Sequence, residues 1–286
     1  MLPQLGNRLL RQSVLLQRTC RSFSSPSETI RTQYSNVDQR EVENLSKQST
    51  EWWDPHGPIR GLHAMNALRI PLIRDGLIAT GAVAKDRIQK PNVLESLNIL
   101  EVGCGGGILT EALAKLHSNV VGIDPSEKLI GVAKEHAKDN ASLRKENIHY
   151  HVETIEQHAA KNAERYDAVV ASEVLEHVND KVAFIEQCLG ALKPGGSMFI
   201  TTINKTTPSW LGAIVAAEQI FHLVPEGTHD WDKFISPLDV QRILSSYNCN
   251  TILVHGMFYQ FWSNQWCWTK NTDINYALHA VKMKET

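Results

Sequence analysis

Short apolar runs alternate with helical stretches through the middle of the chain. The predicted strands cover 97–102, 119–123, 148–152 and 167–171. The predicted helices between and after them cover 107–117, 126–138 and 180–192. Strands alternating with helices favour a parallel sheet with helices on both faces. The pattern therefore predicts an α/β fold of the doubly wound type, with ligands at the carboxyl ends of the strands.

The flanking regions extend this sheet and add a cap. Lys193-Pro194-Gly195-Gly196 predicts a sharp turn into a strand at 197–203, because proline restricts φ and glycine tolerates positive φ. An insertion at 204–236 then precedes a helix at 237–246, a strand at 251–255 and a tail rich in Trp and Tyr. Before the sheet, we expect helices at 38–48 and at 61–79, the second continuing despite Pro71, as a cap over the ligand crevice.

The amino-terminal segment has the composition of a mitochondrial transit peptide. The first 27 residues contain no Asp or Glu, and their four arginines cluster on one side of a helix with leucines opposite. Arg21-Ser22-Phe23-Ser24 resembles a processing site cut after Phe23. We expect a transit peptide at 1–23, a cap segment at 24–95 and the main domain at 96–286, although a disordered basic tail is the alternative for the first segment.

Overall composition narrows the classes of function. The 286 residues are 42% hydrophobic and 21% charged, with a formal net charge of −2, so nucleic acid is not an expected partner. The five cysteines form no C-x-x-C pair, which suggests neither a disulfide framework nor a zinc site. No apolar run reaches the roughly 18 residues that span a bilayer, so we expect a soluble or peripheral protein.

A glycine-rich turn follows the first predicted strand. Gly103, Gly105 and Gly107 alternate, and Ile108 stands where the dinucleotide pattern G-x-G-x-x-G requires glycine. Asp124 ends the next strand, where a carboxylate can accept both ribose hydroxyls. Glu101 adds a carboxylate that suits an ammonium and a sulfonium better than a pyrophosphate. These features predict binding of S-adenosylmethionine rather than NAD, against the simpler interpretation of an ordinary strand-to-helix turn.

Three potential metal ligands follow the strand at 167–171. If residues 173–177 are helical, Glu173, Glu176 and His177 share one face. Two carboxylates beside an imidazole favour Mg²⁺, with Zn²⁺ or Mn²⁺ possible. A bound cation would stabilise the anion of a phenol whose ordinary pKa is about 10, which makes the three residues catalytic candidates as well. The alternative is two solvated glutamates and a core histidine.

The insertion contains an apolar segment at 208–224. It is compatible with a helix that lies in a membrane interface or closes over the active site as a lid. His229, just after it, is a weak candidate for an acid, a base or a substrate contact.

Several motifs together resemble one family. They are EVGCGGGILTEALA, SEVLEHV, LKPGG, the early WWDP with LHAMNALR, the late VPEGTHDWDKFISP, and the tail around Asp273 to His279. In combination they are similar to the ubiquinone-biosynthesis O-methyltransferases, over about residues 33 to 280. The resemblance implies the Rossmann-like class I methyltransferase fold, with a mostly parallel seven-stranded sheet, an amino-terminal helical cap and a helical lid insertion.

The resemblance also implies residue roles and surroundings. The positions matching Arg69, Gly103, Asp124 and Ser172 contact S-adenosylmethionine in the family, and those matching Glu173, Glu176 and His177 hold the metal. The implied acceptors are a polyprenyl-dihydroxybenzoate and demethylubiquinol. The implied location is the matrix face of the inner mitochondrial membrane, as a peripheral protein associated with other ubiquinone-biosynthesis proteins.

Three other interpretations stay open from the residues. The chain could be a class I methyltransferase for another small acceptor, or a non-catalytic assembly subunit that keeps the fold. An NAD-dependent oxidoreductase is disfavoured by Ile108. Metal dependence would separate the first of these from a catechol O-methyltransferase, since a nitrogen or carbon acceptor gains little from a carboxylate-bound cation.

Overall fold

The computed structural model describes residue 36 and residues 39–47, 49–206 and 233–284. The predicted transit peptide at 1–23, the apolar segment at 208–224 and His229 lie outside the described residues. Among the residues that are described, no helix combines the length and the apolar character that a membrane span requires.

One mixed sheet forms the centre of the described structure. Its strands are β1 (Asn98–Val102), β2 (Asn119–Asp124), β3 (Ile148–Val152), β4 (Tyr166–Ser172), β5 (Leu192–Ile203), β6 (Cys249–Gln260), β7 (Gln265–Thr269) and β8 (Asn275–Lys282). The order across the sheet is β3-β2-β1-β4-β5-β8-β6-β7. β1 to β5 are parallel, whereas β8, β6 and β7 pair antiparallel. The parallel core is confirmed.

The sheet has eight strands in the described residues, not the seven that the family resemblance implied. The strand predicted at 251–255 extends to Gln260 and folds back as β7, and β7 then forms the edge of the sheet. The aromatic tail thus supplies β7 and β8 instead of irregular structure. Its β-branched and aromatic residues favour strands, but a strand needs a partner that only the folded sheet provides.

Seven helices surround the sheet in the described part of the chain. They are α1 (Gln39–Ser46), α2 (Arg60–Ala79), α3 (Ile108–Ala114), α4 (Glu127–Asp139), α5 (Ile155–Ala159), α6 (Lys181–Ala191) and α7 (Pro237–Ser246). The Ser126, Asp180 and Ser236 side chains accept hydrogen bonds from backbone N–H groups in the first turns of α4, α6 and α7. The long helix through Pro71 is confirmed.

Apolar side chains pack on both faces of the sheet. Ile99 lies in a cluster with residues of α2, α3 and α4, whereas the next residue, Leu100, lies in a cluster with residues of α5, α6 and α7. Successive strand side chains point to opposite faces, so a strand covered on both faces must be apolar at every position, as β1 nearly is. Asn98 at its start is half-buried, and Glu101 is the fully buried polar position, which places a carboxyl group inside the molecule.

Candidate active site

A crevice opens at the carboxyl ends of β1 to β4. Gly103 after β1, Asp124 at the end of β2, Glu153 after β3 and Glu173 after β4 all line it. The expectation that these four strand ends share one crevice is confirmed. α1 closes one side, where Val42 and Leu45 line the same space.

The glycine-rich loop needs glycine for its backbone conformation. Gly103, Gly105 and Gly107 have φ values of 71°, 52° and 88°, in the left-handed region that side chains disfavour. The Gly103 N–H donates to the Ile123 carbonyl at 2.8 Å, which ties the loop to β2. The loop therefore turns sharply beside the end of β2.

Two tryptophans from the predicted cap lie against this loop. A Cβ added to Gly106 would stand 2.2 Å from Trp52 Cδ1, and the Trp53 indole N–H donates to the Gly106 carbonyl at 3.0 Å. The Trp53 ring stacks on His136 of α4 with 3.4 Å between ring centroids. The sequence placed the WWDP segment in a cap but did not predict this contact. The adjacent pair of tryptophans shortly before a predicted helix was the signal that could have indicated it.

Asp124 has both carboxylate oxygens held by the backbone. Oδ2 accepts from the Gly105 N–H at 3.0 Å, and Oδ1 accepts from the Ser126 N–H at 2.8 Å. Burial raises its pKa, which these two hydrogen bonds oppose. Because each carboxylate oxygen can accept a second hydrogen bond, Asp124 retains acceptor capacity toward the crevice that it lines.

Arg69 of α2 is buried beside the glycine loop. Its Nη1 donates to Ser172 Oγ at 3.0 Å, and its Nη2 donates to the Leu62 carbonyl at 2.8 Å and to Asn66 Oδ1 at 2.6 Å. Burial lowers the pKa of Arg69, and the carboxyl groups of Glu101 and Glu173 oppose that effect. Nothing local in the sequence indicated this position, because the contact with Ser172 joins residues 103 apart in the chain.

Glu101 lies in the same buried group as Arg69. Thr110 Oγ1 donates to Glu101 Oε2. Burial raises the pKa of Glu101 to about 7, with the Asp124 carboxyl adding to the rise and Thr110 and Arg69 opposing it. A carboxyl group with this pKa changes charge near neutral pH. A cationic group of a bound ligand would favour its ionised form.

Residues 173–177 do not form the helix that would have placed Glu173, Glu176 and His177 on one face. Glu173 has a φ of 56°, and only Leu175–His177 forms a short 3-10 turn. The Glu173 backbone N–H donates to the Thr201 carbonyl at 2.8 Å, which pulls the residue toward β5 and away from helical geometry. A local spacing rule could not anticipate a bond to a neighbouring strand.

The two glutamates are held by neighbouring threonines of β5. Thr201 Oγ1 donates to Glu173 Oε1 at 2.7 Å, and Thr202 Oγ1 donates to Glu176 Oε2 at 2.6 Å. Burial and the nearby Glu176 carboxylate raise the pKa of Glu173 to about 8. In the part of the chain that the structure describes, no three His, Cys, Asp or Glu side chains are grouped so as to hold a metal ion.

Seven of the nine predicted site residues fall into two adjoining groups, whereas Gly105 donates its N–H to Asp124 and Glu176 is held by Thr202. Gly103, Asp124, Glu173 and His177 line the crevice. Arg69, Glu101 and Ser172 form the buried group next to it, and Glu173 links the groups electrostatically.

The crevice also includes an acid that sequence reasoning did not single out. Glu153 follows β3, and its Oε1 lies 2.6 Å from Nδ1 of His158, whose Nε2 lies 2.6 Å from Tyr166 Oη. Two hydrogen-bonded rings therefore fix the carboxylate at the crevice wall. Its position directly after a predicted strand end was the signal that could have identified it.

Comparison with known proteins agrees with this architecture. A methyltransferase domain model matches residues 65–254. The mitochondrial ubiquinone biosynthesis O-methyltransferase of Rattus norvegicus is 44% identical over 264 residues, which cover 92% of this chain and 75% of that protein. The ubiquinone biosynthesis O-methyltransferase of Pelagibacter ubique is 39% identical over 248 residues, which cover 87% of this chain and 99% of that protein.

This chain belongs to the ubiquinone biosynthesis O-methyltransferases. Its activity is accordingly S-adenosylmethionine-dependent O-methyl transfer. The family resemblance that the motifs carried is confirmed, and with it the preference for S-adenosylmethionine over NAD.

Solved structures of more distant proteins share the fold. The magnesium protoporphyrin IX methyltransferase of Synechocystis PCC 6803 with bound SAM has a TM-score of 0.55 at 17% identity, covering 86% of this chain and 98% of that one. A possible histamine N-methyltransferase of Thermotoga maritima has a TM-score of 0.54 at 12% identity, and the match covers 84% of this chain and 99% of that one. At these identities the likeness concerns the fold alone, which is the predicted class I methyltransferase fold.

Proposed function

We propose that this O-methyltransferase methylates a catechol hydroxyl of a polyprenyl-dihydroxybenzoate and of demethylubiquinol, with a divalent cation activating the hydroxyl. The observation that carries the proposal is the pairing of two sites at one crevice: a glycine loop with fixed acidic and basic partners, and an acidic cluster beside it. The first site suits the methyl donor and the second suits the acceptor.

The donor site is complementary to S-adenosylmethionine in charge. Asp124 is positioned to accept ribose hydroxyls, and Glu101 to neutralise the ammonium group. Arg69, whose guanidinium is already oriented by Ser172 and Leu62, is positioned for the methionine carboxylate. When bound, the donor supplies an electrophilic methyl group on a sulfonium. Glu173 and His177 line the same crevice after β4 and would face the acceptor.

Glu173, Glu176 and His177 fit a divalent cation in donor chemistry and in charge. Burial and, after it, the nearby Glu176 carboxylate raise the pKa of Glu173, and a cation between the two carboxylates would relieve their repulsion. Each carboxylate accepts a threonine hydroxyl through one oxygen, so the other oxygen is available to a ligand. The three side chains must draw together around the ion, since they are not grouped in this way in the structure. A bound cation would lower the pKa of the acceptor hydroxyl and hold its oxygen for in-line attack.

The test is methyl transfer from labelled S-adenosylmethionine to a short-tailed prenyl dihydroxybenzoate. We expect activity with Mg²⁺ and a loss of about a hundredfold or more with excess chelator, reversed by added metal. Glu173→Gln and His177→Ala should show the same loss while still binding S-adenosylmethionine. Glu146→Gln, at an exposed glutamate that does not line the crevice, is the matched control.

The outcomes separate the parts of the proposal. Activity that survives the chelator would leave the methyltransferase in place and rule out the cation. Cofactor binding without any product would point to a different acceptor or to a role in assembly without catalysis.

We further propose that the protein acts in the mitochondrial matrix, as a peripheral protein of the inner membrane associated with other ubiquinone-biosynthesis proteins. Relatives from Rattus norvegicus, Homo sapiens and Dictyostelium discoideum are named as mitochondrial, and residues 1–27 have transit-peptide composition. Amino-terminal sequencing of the native protein should find Ser24 first, and an intact Met1 would contradict removal of the segment.

A further inference from the structure

The β6–β7 hairpin carries an unusual concentration of exposed aromatic rings. In the described part of the chain, every large aromatic side chain that is strongly exposed belongs to it. Trp262 is 66% exposed and Phe261 52%, at the turn, and Phe258 and Trp268 are each 39% exposed on the strands behind it. The run from 256 to 269 contains no Asp, Glu, Lys or Arg. An exposed apolar surface of this kind marks an interaction site.

The hairpin is anchored to the rest of the molecule by other residues. Tyr259 and Trp266 stack with 5.0 Å between ring centroids, and the Trp266 indole N–H donates to the Gly61 carbonyl of α2 at 2.9 Å. Tyr259 Oη donates to Asn264 Oδ1 at 2.8 Å and so braces the turn. Phe261 and Trp262 contact each other edge to face at the tip. The inward rings therefore hold the hairpin, and the tip rings are presented outward.

The exposed rings surround the hairpin rather than forming one flat face. Met257 lies directly opposite Trp268 in the register, so these two side chains share a face. Phe258, the next residue after Met257, points to the other face. Aromatic rings on both faces and at the turn suit a medium that encloses the tip. The face of Met257 and Trp268 also carries the anchoring rings Tyr259 and Trp266, so α2 partly covers it, whereas the tip rings stay open to an enclosing medium.

We propose that the hairpin tip, Phe261 and Trp262, inserts into the interface of a lipid bilayer. The amphipathic ring of tryptophan and the apolar ring of phenylalanine are both stable at a lipid interface. The tip has no charged side chain, so its insertion would bury no charge. The three residue-to-residue steps from Phe258 to Phe261 span roughly 10 Å of extended chain, which matches the roughly 5–10 Å depth of interfacial insertion. The proposal deepens the proposed function, since a polyprenylated acceptor resides in a membrane, but the tip chemistry supports it without the acceptor.

The test is flotation of the full chain with neutral phosphatidylcholine vesicles, which minimise the contribution of the basic amino-terminal segment. We expect the double variant Phe261→Ser/Trp262→Ser to bind on the order of tenfold or more weakly. Leu238→Ser, at a residue of α7 that is 55% exposed, is the matched control and should bind as the unsubstituted chain does. The double variant should keep its melting temperature, its S-adenosylmethionine binding and its turnover of a short-tailed acceptor.

A second measurement locates the tip in the bilayer. Lipids brominated along their acyl chains should quench part of the tryptophan fluorescence, and Trp262→Phe should reduce that quenching while preserving flotation. Equal flotation of the double variant and the unsubstituted chain would overturn the proposal, as would no flotation of either. If the double variant instead converts a dimer into a monomer with flotation unchanged, the hairpin is an interface between two copies and the proposal is wrong. If the unsubstituted chain floats but does not methylate the soluble acceptor, the proposed function is wrong and the proposal for this hairpin still holds.

Discussion

Single residues at the site derive their properties from burial more than from their type. Glu101 and Asp124 are both buried, and burial raises the pKa of each. For Asp124, two backbone N–H donors offset the effect of burial on the ionised carboxylate. Glu101 instead depends on Thr110 and on the charge of Arg69. The cofactor-free protein therefore holds a carboxyl group whose ionisation opposes folding near neutral pH.

We predict that Glu101→Gln removes part of the pH dependence of stability. The folded-state pKa of about 7 lies above the ordinary value of 4.5, so the folded protein retains a proton that the unfolded chain releases. The free energy of unfolding should therefore fall as pH rises from about 4.5 through 7, by up to about 3 kcal/mol from this group. Urea unfolding of the cofactor-free protein between pH 5 and 8.5 measures it.

In that experiment Glu101→Gln should lose less stability than the unsubstituted protein as pH rises. Glu146→Gln, with an exposed glutamate, should follow the unsubstituted protein. Parallel curves for the Glu101 variant and the unsubstituted protein would show that Glu101 is not the responsible group.

At the scale of elements, the glycine loop and the tryptophan pair form one unit. The loop supplies a surface without side chains, and Trp52 occupies the space beside Gly105 and Gly106. Trp53 then links the loop to α4 through its hydrogen bond to Gly106 and its stacking on His136. The cap is therefore attached to the cofactor loop itself, and we expect changes in one to affect the other.

We predict that Gly106→Ala weakens S-adenosylmethionine binding and lowers stability. An added Cβ would stand 2.2 Å from Trp52 Cδ1, so the buried indole or the loop must move. Such overpacking typically costs about 1–3 kcal/mol. Calorimetric titration with S-adenosylmethionine and urea unfolding measure the two effects.

Gly131→Ala is the matched control for this loop variant. Gly131 lies within α4 and has open space where a Cβ would be, so alanine there should raise stability by about 0.5–1 kcal/mol. Normal cofactor affinity in Gly106→Ala would mean that the indole yields without disturbing the loop.

At the scale of the whole molecule, the crevice is assembled from distant parts of the chain. α1 lines it with Val42 and Leu45, and the Ser46 hydroxyl lies 2.7 Å from the Ser126 hydroxyl at the start of α4. Asn36 also lines it and exchanges hydrogen bonds with the backbone of Asp180 before α6. The crevice is therefore lined in part by the segment that precedes the main domain.

We predict that two truncations differ sharply. The chain beginning at Ser24 should keep the S-adenosylmethionine affinity of the full chain, because every described crevice residue is present. The chain beginning at Gln48 lacks Asn36, Val42 and Leu45, and its affinity should fall about tenfold or more, since two apolar contacts are lost. Calorimetric titration of both compares them, and equal affinities would show that α1 does not close the crevice over the cofactor.

The sequence by itself determined the features that depend on neighbouring residues. Hydrophobic periodicity located β1 to β4, α2 to α4 and α6 to within a few residues, although it did not predict α5, and the glycine spacing with Asp124 indicated the cofactor. The motifs EVLEH and WWDP identified the family. These predictions succeeded because backbone conformation and the order of elements along a parallel sheet follow largely from short-range pattern.

The tertiary structure decided what depends on contacts between distant residues. It brought Arg69 to Ser172, laid Trp52 and Trp53 on the glycine loop and added β7 at the sheet edge. It also kept Glu173 out of helical geometry through its hydrogen bond to Thr201, 28 residues away. Burial then set the pKa values of Glu101 and Glu173. Spacing along the chain cannot predict such features, because burial and long-range hydrogen bonds exist only after the sheet has assembled.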